Sequence, residues 1–444
     1  MQTITPPMPG SLDVAIRTLG EPTVRSPLGL STVAGDWLAD YVPDDTRVAY
    51  EIETRAGHSF APSLFEKAGP RQTIFFDPER TRAGIVTCGG LCPGINNVIR
   101  SLVLELHHKY RAAATLGFRY GYQGLDPDGG LEPIALTPAD VMHVHRQGGS
   151  MLGLSRGAHD AGVMVDTLVR HEIDILFAIG GDGTLRGAHA IAGEVQRRGL
   201  RIAIVAIPKT VDADVEYIDE TFGYQTAVDV AKLAVDAAHT EAISAYNGVG
   251  IVKLMGRDAG FIAASATLAS REVNYCLIPE VPFTLEGPNG LLAALERRLE
   301  ARHHALIVVA EGCAHSLAGP DAARDASGNL RYAAAGLDIG THLRDAIGAH
   351  LAARRIPSTV KYIDPSYMIR SVPANAHDAI FCDALARNAV HAAMAGKTDL
   401  VIGTVHRTFT HLPLALVTGR RKQVNPDGAL WLAVTEATGQ PPLR

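Results

Sequence analysis

From Ile175 to Ile179 the chain is unbroken apolar sequence, Ile-Leu-Phe-Ala-Ile, and it then breaks into Gly180-Gly181-Asp182-Gly183-Thr184. A strand with one wet face alternates apolar and polar residues. A run without alternation belongs to a strand buried on both faces, as in a parallel sheet covered by helices. The glycines that follow, with a helix beginning near Thr184, make a geometry that receives phosphate. Backbone N–H groups at a helix N-terminus point at the anion, and no side chains hold it off. An aspartate in such a loop repels phosphate, so Asp182 is read as the holder of the Mg2+ that accompanies a nucleotide. One strand later Ile202 to Ile207 leads into Pro208-Lys209-Thr210-Val211-Asp212-Ala213-Asp214, with two carboxylates on a loop. Phosphoryl transfer needs a phosphate cradle, a metal and a base near the acceptor hydroxyl, and these two loops hold candidates for all three.

The rest of the chain repeats the same unit. Ala83 to Thr87 reads as a strand, Cys88 to Gly94 as a glycine turn, and Ile95, Val98, Ile99, Leu102, Val103 and Leu106 mark a helix by their spacing of three and four. Further glycine-rich stretches at Gly117–Gly124 and Gly148–Gly157 are read as loops on the same sheet edge. Strands are expected at Val249–Leu254, Tyr275–Pro279, Leu306–Val309 and Val401–Gly403, with helices from Thr226, Phe261, Leu337 and Asp378. Lys361 to Arg370 is read as a compact loop, residues 312–335 as an exposed loop, and Gly419-Arg420-Arg421-Lys422 as a solvated turn. Strand and helix in alternation give an α/β protein with mainly parallel sheets. Before residue 80 the pattern differs. Pro6, Pro7, Pro9, Gly10, Pro22 and Pro27 suggest a loose arm over the first 30 residues, Trp37–Tyr41 a short helix, and Val48–Ile52 and Thr73–Phe76 short strands of a small appended subdomain.

Bulk properties narrow the partners. The 444 residues suffice for two or three domains, and 47% hydrophobic with 20% charged residues is ordinary for a globular enzyme. A net charge of −6 gives no support for a nucleic-acid surface. Five scattered cysteines argue against a disulfide framework. No apolar run reaches membrane length and no signal-peptide layout is present, so no membrane partner and a cytoplasmic location are expected.

The segments Ala68-Gly69-Pro70-Arg71, Val86 to Gly94, Gly180 to Thr184, Pro208 to Asp214, Met255-Gly256-Arg257 and Lys361 to Arg370 occur in one order. On them the chain resembles the 6-phosphofructokinase family from about Phe65 onward, and looks closest to the long branch of plants, trypanosomatids and some bacteria. The resemblance implies two Rossmann-like domains of the phosphofructokinase type with mainly parallel sheets, plus a small N-terminal extension. The expected division is residues 1–80 as the extension, 81–225 with 371–405 as the nucleotide-binding domain, and 226–370 with 406–444 as the sugar-phosphate-binding domain. It implies phosphorylation of fructose 6-phosphate by ATP with Mg2+, in a homo-oligomer (tetramer or dimer).

By position, Gly90, Tyr122, Arg156, Gly181, Gly183 and Thr184 would line the nucleotide and Asp182 would hold the metal. Lys209, Thr210, Asp212 and Asp214 match the catalytic loop. Met255, Gly256, Arg257, Glu311, Tyr367 and Arg370 match sugar-phosphate contacts, together with Thr210 and Asp212. Lys361 matches a phosphate contact that the family often draws from a neighbouring subunit. The chemistry agrees: Asp212 suits a base for the sugar hydroxyl, Lys209 suits charge developing on the transferred group, and Arg257 and Arg370 suit a phosphate monoester. Two departures stand out. The family usually shows Thr-Ile-Asp-Asn-Asp, where this chain has Val211 and Ala213, and Gly248 stands where short relatives place an arginine. Gly183 leaves room for a nucleotide's α-phosphate, whereas Lys209 usually accompanies pyrophosphate. Pyrophosphate as donor, and sedoheptulose 7-phosphate as another ketose acceptor, therefore stay open. Lipid and NAD kinases share the Gly-Gly-Asp-Gly-Thr loop, but that reading leaves the other motifs unexplained.

Overall fold

The computed structural model describes residues 12–53, 61–157, 159–317 and 338–444. In chain order the elements used below are β1 Arg47–Ala49, β2 Leu64–Lys67, β3 Arg82–Thr87, α1 Ile95–Leu104, β4 Ala114–Phe118, β5 Ile134–Ala135, α2 Ala161–Arg170, β6 Ile175–Gly180, α3 Asp182–Arg197 and β7 Ala203–Pro208. They continue with α4 Tyr224–Ile243, β8 Gly248–Leu254, α5 Phe261–Ser270, β9 Tyr275–Leu277, α6 Leu291–Arg302, β10 His304–Ala310, α7 Ile339–Ala353, β11 Thr359–Ile363, α8 Ser366–Ser371, α9 Ala376–Met394, β12 Leu400–Val405, β13 Thr408–Pro413 and α10 Ala429–Thr438.

The chain divides into two compact units. One comprises residues 1–210, 215–223 and 373–421; the other comprises 211–214, 224–372 and 422–444. The first unit is built on a nine-stranded sheet in the order β1-β2-β13-β12-β7-β6-β3-β4-β5. The five strands β12, β7, β6, β3 and β4 run parallel, and antiparallel strands close both sides. Every residue of β6, β7 and β12 is buried, as their unalternating apolar sequences require. The chain leaves β3 for β4 on one side and returns to β6 on the other. The sheet order therefore reverses between β3 and β6, where ligands of open α/β sheets bind beyond the carboxyl ends.

Residues 12–80 form no body of their own. β1 and β2 extend the large sheet through β13, and Phe65 is fully buried in the first unit's core. Nor is 12–30 a loose arm. Arg17–Thr18 pairs with Lys397–Thr398, and the Arg17 guanidinium donates to Asp399 at 2.9 Å. Trp37–Tyr41 is two bends followed by an isolated bridge from Asp40 to Ser31 rather than a helix, with Trp37 at φ 67° and fully in solvent. The first boundary also differs from the expected 405/406: β13 and residues to 421 belong to the first unit.

The second unit has an all-parallel sheet, β9-β10-β8-β11. One core cluster packs Leu291, Leu295 and Leu299 of α6 and Leu343, Ile347 and Leu351 of α7 with Val249, Ile251, Ile307 and Val309 of the strands. The loop read at Lys361–Arg370 is in fact the edge strand β11 followed by the short helix α8. The loop expected at 312–335 begins as a 3-10 turn, Glu311–Leu317, and its remainder lies outside the described residues. All five cysteines are buried free thiols.

Candidate active site

In the first unit three loops meet at the carboxyl edge of the large sheet. Pro208 pairs with Gly180 at the ends of β7 and β6, and the Lys209 N–H donates to the Gly180 carbonyl at 2.9 Å. The Lys209 side chain is buried and its ammonium donates to the Gly90 carbonyl at 2.7 Å, joining the turn after β3 to the turn after β7. The Gly89 N–H donates to the Ser155 carbonyl at 2.9 Å and Thr87 Oγ1 to the Gly153 carbonyl at 2.6 Å, which brings in the 148–157 loop. A Cβ on Gly90 would lie 3.0 Å from Arg156 Nη2, so Arg156 stands over that turn. Gly180 has no room for a side chain, since a Cβ would come within 2.0 Å of Thr184 Oγ1. Gly90, Arg156, Gly181, Asp182, Gly183, Thr184 and Lys209 are therefore collected around the start of α3, where N–H groups and the helix dipole favour an anion.

Tyr122 takes a different place from the one expected. It is 5% exposed, and its hydroxyl donates to the Thr184 carbonyl at 2.7 Å. It supports the loop from beneath rather than offering a face to a nucleotide. Thr184 is buried with it, beside the Cys88 thiol, which burial pushes up to about 12. Gly117 and Phe118, read as loop, are the end of β4.

Asp182 has partners that the sequence reading missed. Its Oδ2 accepts from Arg186 Nη1 at 2.5 Å and from Arg421 Nη2 at 3.3 Å, so the basic run at 420–422 is no free solvated turn. Both bonds fall on one oxygen. A magnesium ion brought in by a nucleotide takes one or two carboxylates alongside phosphate oxygens, and Asp182 with its other oxygen fits that requirement.

The chain passes from the first unit to the second between Thr210 and Val211. The Thr210 carbonyl accepts from the Thr221 hydroxyl at 2.7 Å in the first unit, and the Asp214 carbonyl from the Lys422 N–H at 2.9 Å in the second. Between the two aspartates Ala213 is buried with φ 54°, in the left-handed region. Asparagine tolerates that region better than alanine. This gives a backbone reason for the family's asparagine at the position.

In the second unit Met255, Glu311 and Asp364 directly follow the neighbouring parallel strands β8, β10 and β11. Gly256 turns the chain at φ 122°, where a Cβ would strike the Ala259 carbonyl at 2.5 Å, and the Gly312 N–H donates to the Gly256 carbonyl at 3.0 Å. Burial pushes the Glu311 carboxyl above its ordinary value, against the pull of Arg257, Lys253 and Arg370. Arg370 lies 5.1 Å from the Tyr367 ring centroid, and its buried Nε makes no hydrogen bond among the described residues. Arg257, Glu311 and Arg370 thus form one electrostatic group, with Met255 and Gly256 in its turn and Tyr367 exposed at its rim. Lys361 is not among them. It lies mid-strand opposite Gly250, about 7 Å before the end of β11 by strand rise, and ion-pairs with Glu241 of α4.

The family model described as Phosphofructokinase matches residues 82–393. The chain is 48% identical over 442 residues to the ATP-dependent 6-phosphofructokinase of Amycolatopsis methanolica, covering 97% of this chain and 95% of that one. It is 46% identical over 402 residues to the ATP-dependent 6-phosphofructokinase of Trypanosoma cruzi, covering 90% and 81%. The crystal structure of the pyrophosphate-dependent phosphofructokinase from Marinobacter aquaeolei superposes with a TM-score of 0.64 over 78% of this chain and 86% of that one. Its sequence is 20% identical, and the likeness is one of fold.

Proposed function

Because the chain belongs to the phosphofructokinase family, we propose that it transfers the γ-phosphoryl group of ATP to the 1-hydroxyl of fructose 6-phosphate. The products are ADP, fructose 1,6-bisphosphate and the proton released by the hydroxyl. The observation that carries this reading is the joining of the Gly180–Thr184 loop to the Lys209–Thr210 loop by the Lys209 N–H, with the Lys209 ammonium on the Gly90 carbonyl. That is a cradle of main-chain donors with one buried cation, which suits a polyphosphate.

In this reading the first unit takes the nucleotide. Gly90, Gly181, Gly183, Thr184 and Arg156 receive its phosphates, and Tyr122 holds the loop in shape. Asp182 would hold Mg2+, which when bound neutralises charge on the phosphates. Lys209 stabilises the transferring group, and Thr210 borders the sugar. Asp212 accepts the hydroxyl proton, and Asp214 shapes the loop around it. The second unit takes the sugar phosphate. Arg257 and Arg370 pair with the phosphate, Glu311 with a sugar hydroxyl, and Met255, Gly256 and Tyr367 border it. The mid-strand position of Lys361 supports its serving a neighbouring copy in a homo-oligomer. Among the described residues no helix is long and apolar enough to cross a membrane. A cytoplasmic location is part of the proposal.

Gly183, which leaves an α-phosphate unobstructed, favours ATP, while Lys209 favours pyrophosphate. A coupled assay crossing MgATP and MgPPi with fructose 6-phosphate and sedoheptulose 7-phosphate decides. The expected result is turnover of fructose 6-phosphate with MgATP and scarcely any with MgPPi. The reverse preference for donor or acceptor overturns the assignment.

A further inference from the structure

One partly buried cation of the second unit has no part in the roles above. Lys253 lies on β8 two residues before Met255, and its side chain is 12% exposed. Its ammonium donates to Asp338 Oδ2 at 2.6 Å, pairs with Asp364 Oδ2 at 2.9 Å, and lies 6.0 Å from the Tyr362 ring centroid. The Tyr362 hydroxyl in turn donates to both oxygens of Asp338 at 3.1 and 3.2 Å. Burial would lower the lysine's affinity for its proton, but the bonds to Asp338, Asp364 and Tyr362 outweigh it and hold the group charged.

Each carboxylate of the cluster holds a second element. Asp338 Oδ1 accepts from the Thr341 N–H at 2.8 Å and so caps α7. Asp364 Oδ1 accepts from the Ser366 N–H at 3.0 Å and from the Ser366 hydroxyl, fixing the start of α8, which carries Tyr367 and Arg370. The same ammonium acts on Glu311 at the end of β10. One positive charge therefore ties the end of β8, which leads to Arg257, to the end of β11, which leads to Arg370, beside Glu311. A guanidinium binds a phosphate strongly only when its fork is already aimed. Two guanidiniums from separate strand ends share one monoester only when those ends are fixed against each other.

We propose that Lys253 is a positioning residue of the sugar-phosphate site: its bonds to Asp364 and Asp338 fix the strand ends that aim Arg257 and Arg370 at one phosphate monoester. The proposal rests on the reading of that site given above. A plain core ion pair would instead affect only the stability of the fold.

The test uses Lys253→Met, close in length and uncharged, with Lys253→Arg as the conservative variant. The measurements are KM for each substrate, the binding isotherm of fructose 6-phosphate and urea unfolding, all on the full chain. Lys253→Met is expected to raise KM and Kd for fructose 6-phosphate about 10- to 100-fold, the scale of misplacing contacts by about an ångström. KM for MgATP is expected to stay within about twofold, and Lys253→Arg to recover most of the affinity. Should Lys253→Met not fold, Asp364→Asn decides. It leaves the Lys253–Asp338 bond in place and is expected to weaken fructose 6-phosphate binding by a factor of about 3 to 10. Folded variants that bind fructose 6-phosphate as tightly as wild type, or that lose both substrates equally, overturn the proposal alone. A wild-type protein that neither binds nor phosphorylates fructose 6-phosphate overturns the proposed function, and the role of Lys253 falls with it.

Discussion

Glu66 offers a measurement of what fastens the N-terminal segment to the large sheet. It lies on β2 opposite His411 of β13, its side chain 9% exposed among Arg71 (3%), His411 (1%) and Lys397 (12%). Its Oε1 accepts from His411 Nδ1 at 2.9 Å and Arg71 Nη2 at 3.2 Å, with Lys397 Nζ at 3.1 Å. Burial alone would raise its pKa. The His411 bond and the surrounding charges overcome burial and hold the carboxyl at about 2, against an ordinary 4.5. Burial keeps His411 below its usual value, and the attractions on the carboxyl are, in order, the His411 bond, the His411 charge, Lys397 and Arg71. A folded pKa depressed from 4.5 to about 2 contributes about 3 kcal/mol. That contribution is whole above pH 4.5 and is lost as pH falls toward 2. Linkage leaves about 1.4 kcal/mol of it at pH 3. Urea unfolding of wild type and Glu66→Gln, at fixed protein concentration, is expected to show the variant less stable by about 3 kcal/mol at pH 7. The gap should stay nearly constant down to pH 5 and shrink by half or more at pH 3. A gap that is absent at pH 7, or that does not change between pH 5 and pH 3, refutes the reasoning.

Two further outcomes concern the catalytic loop. Asp212→Asn is expected to lower kcat by a factor of about 10² to 10⁴ while leaving the Kd of fructose 6-phosphate within a few-fold. Retained kcat removes Asp212 from the role of base. Because Ala213 sits at φ 54°, Ala213→Gly is expected to keep stability within about 1 kcal/mol and to retain activity. Ala213→Val, with a β-branched side chain forced into the left-handed region, should lose about 2 kcal/mol or more and most of its kcat. Equal activity in the two variants would mean that the working loop does not hold that backbone conformation.

How far the sequence could be read depended on whether the signal was local. The ranges β6, β7 and α3 were legible within a residue or a few. Apolar runs buried on both faces do not alternate, and the glycines after Ile179 and the proline at 208 mark where they end. Misreadings came where a local breaker signal was overruled by packing. Gly117 reads as a turn residue, yet it lies in β4 because the side chains of Leu136 and Leu152 occupy the space over it. Lys361 to Ile363 of β11 reads as loop because Tyr362 and Ile363 run straight into Asp364-Pro365. The contacts least legible were those that join residues far apart in the chain. Arg421 reads as one of a solvated trio, but its guanidinium meets a carboxylate 239 residues away. Lys253 was one residue of an apolar strand, and its partners come 85 and 111 residues later. Short motifs therefore locate the groups that touch substrate. The charges that aim those groups are set by strand order, and pairwise spacing along the chain carries no trace of them.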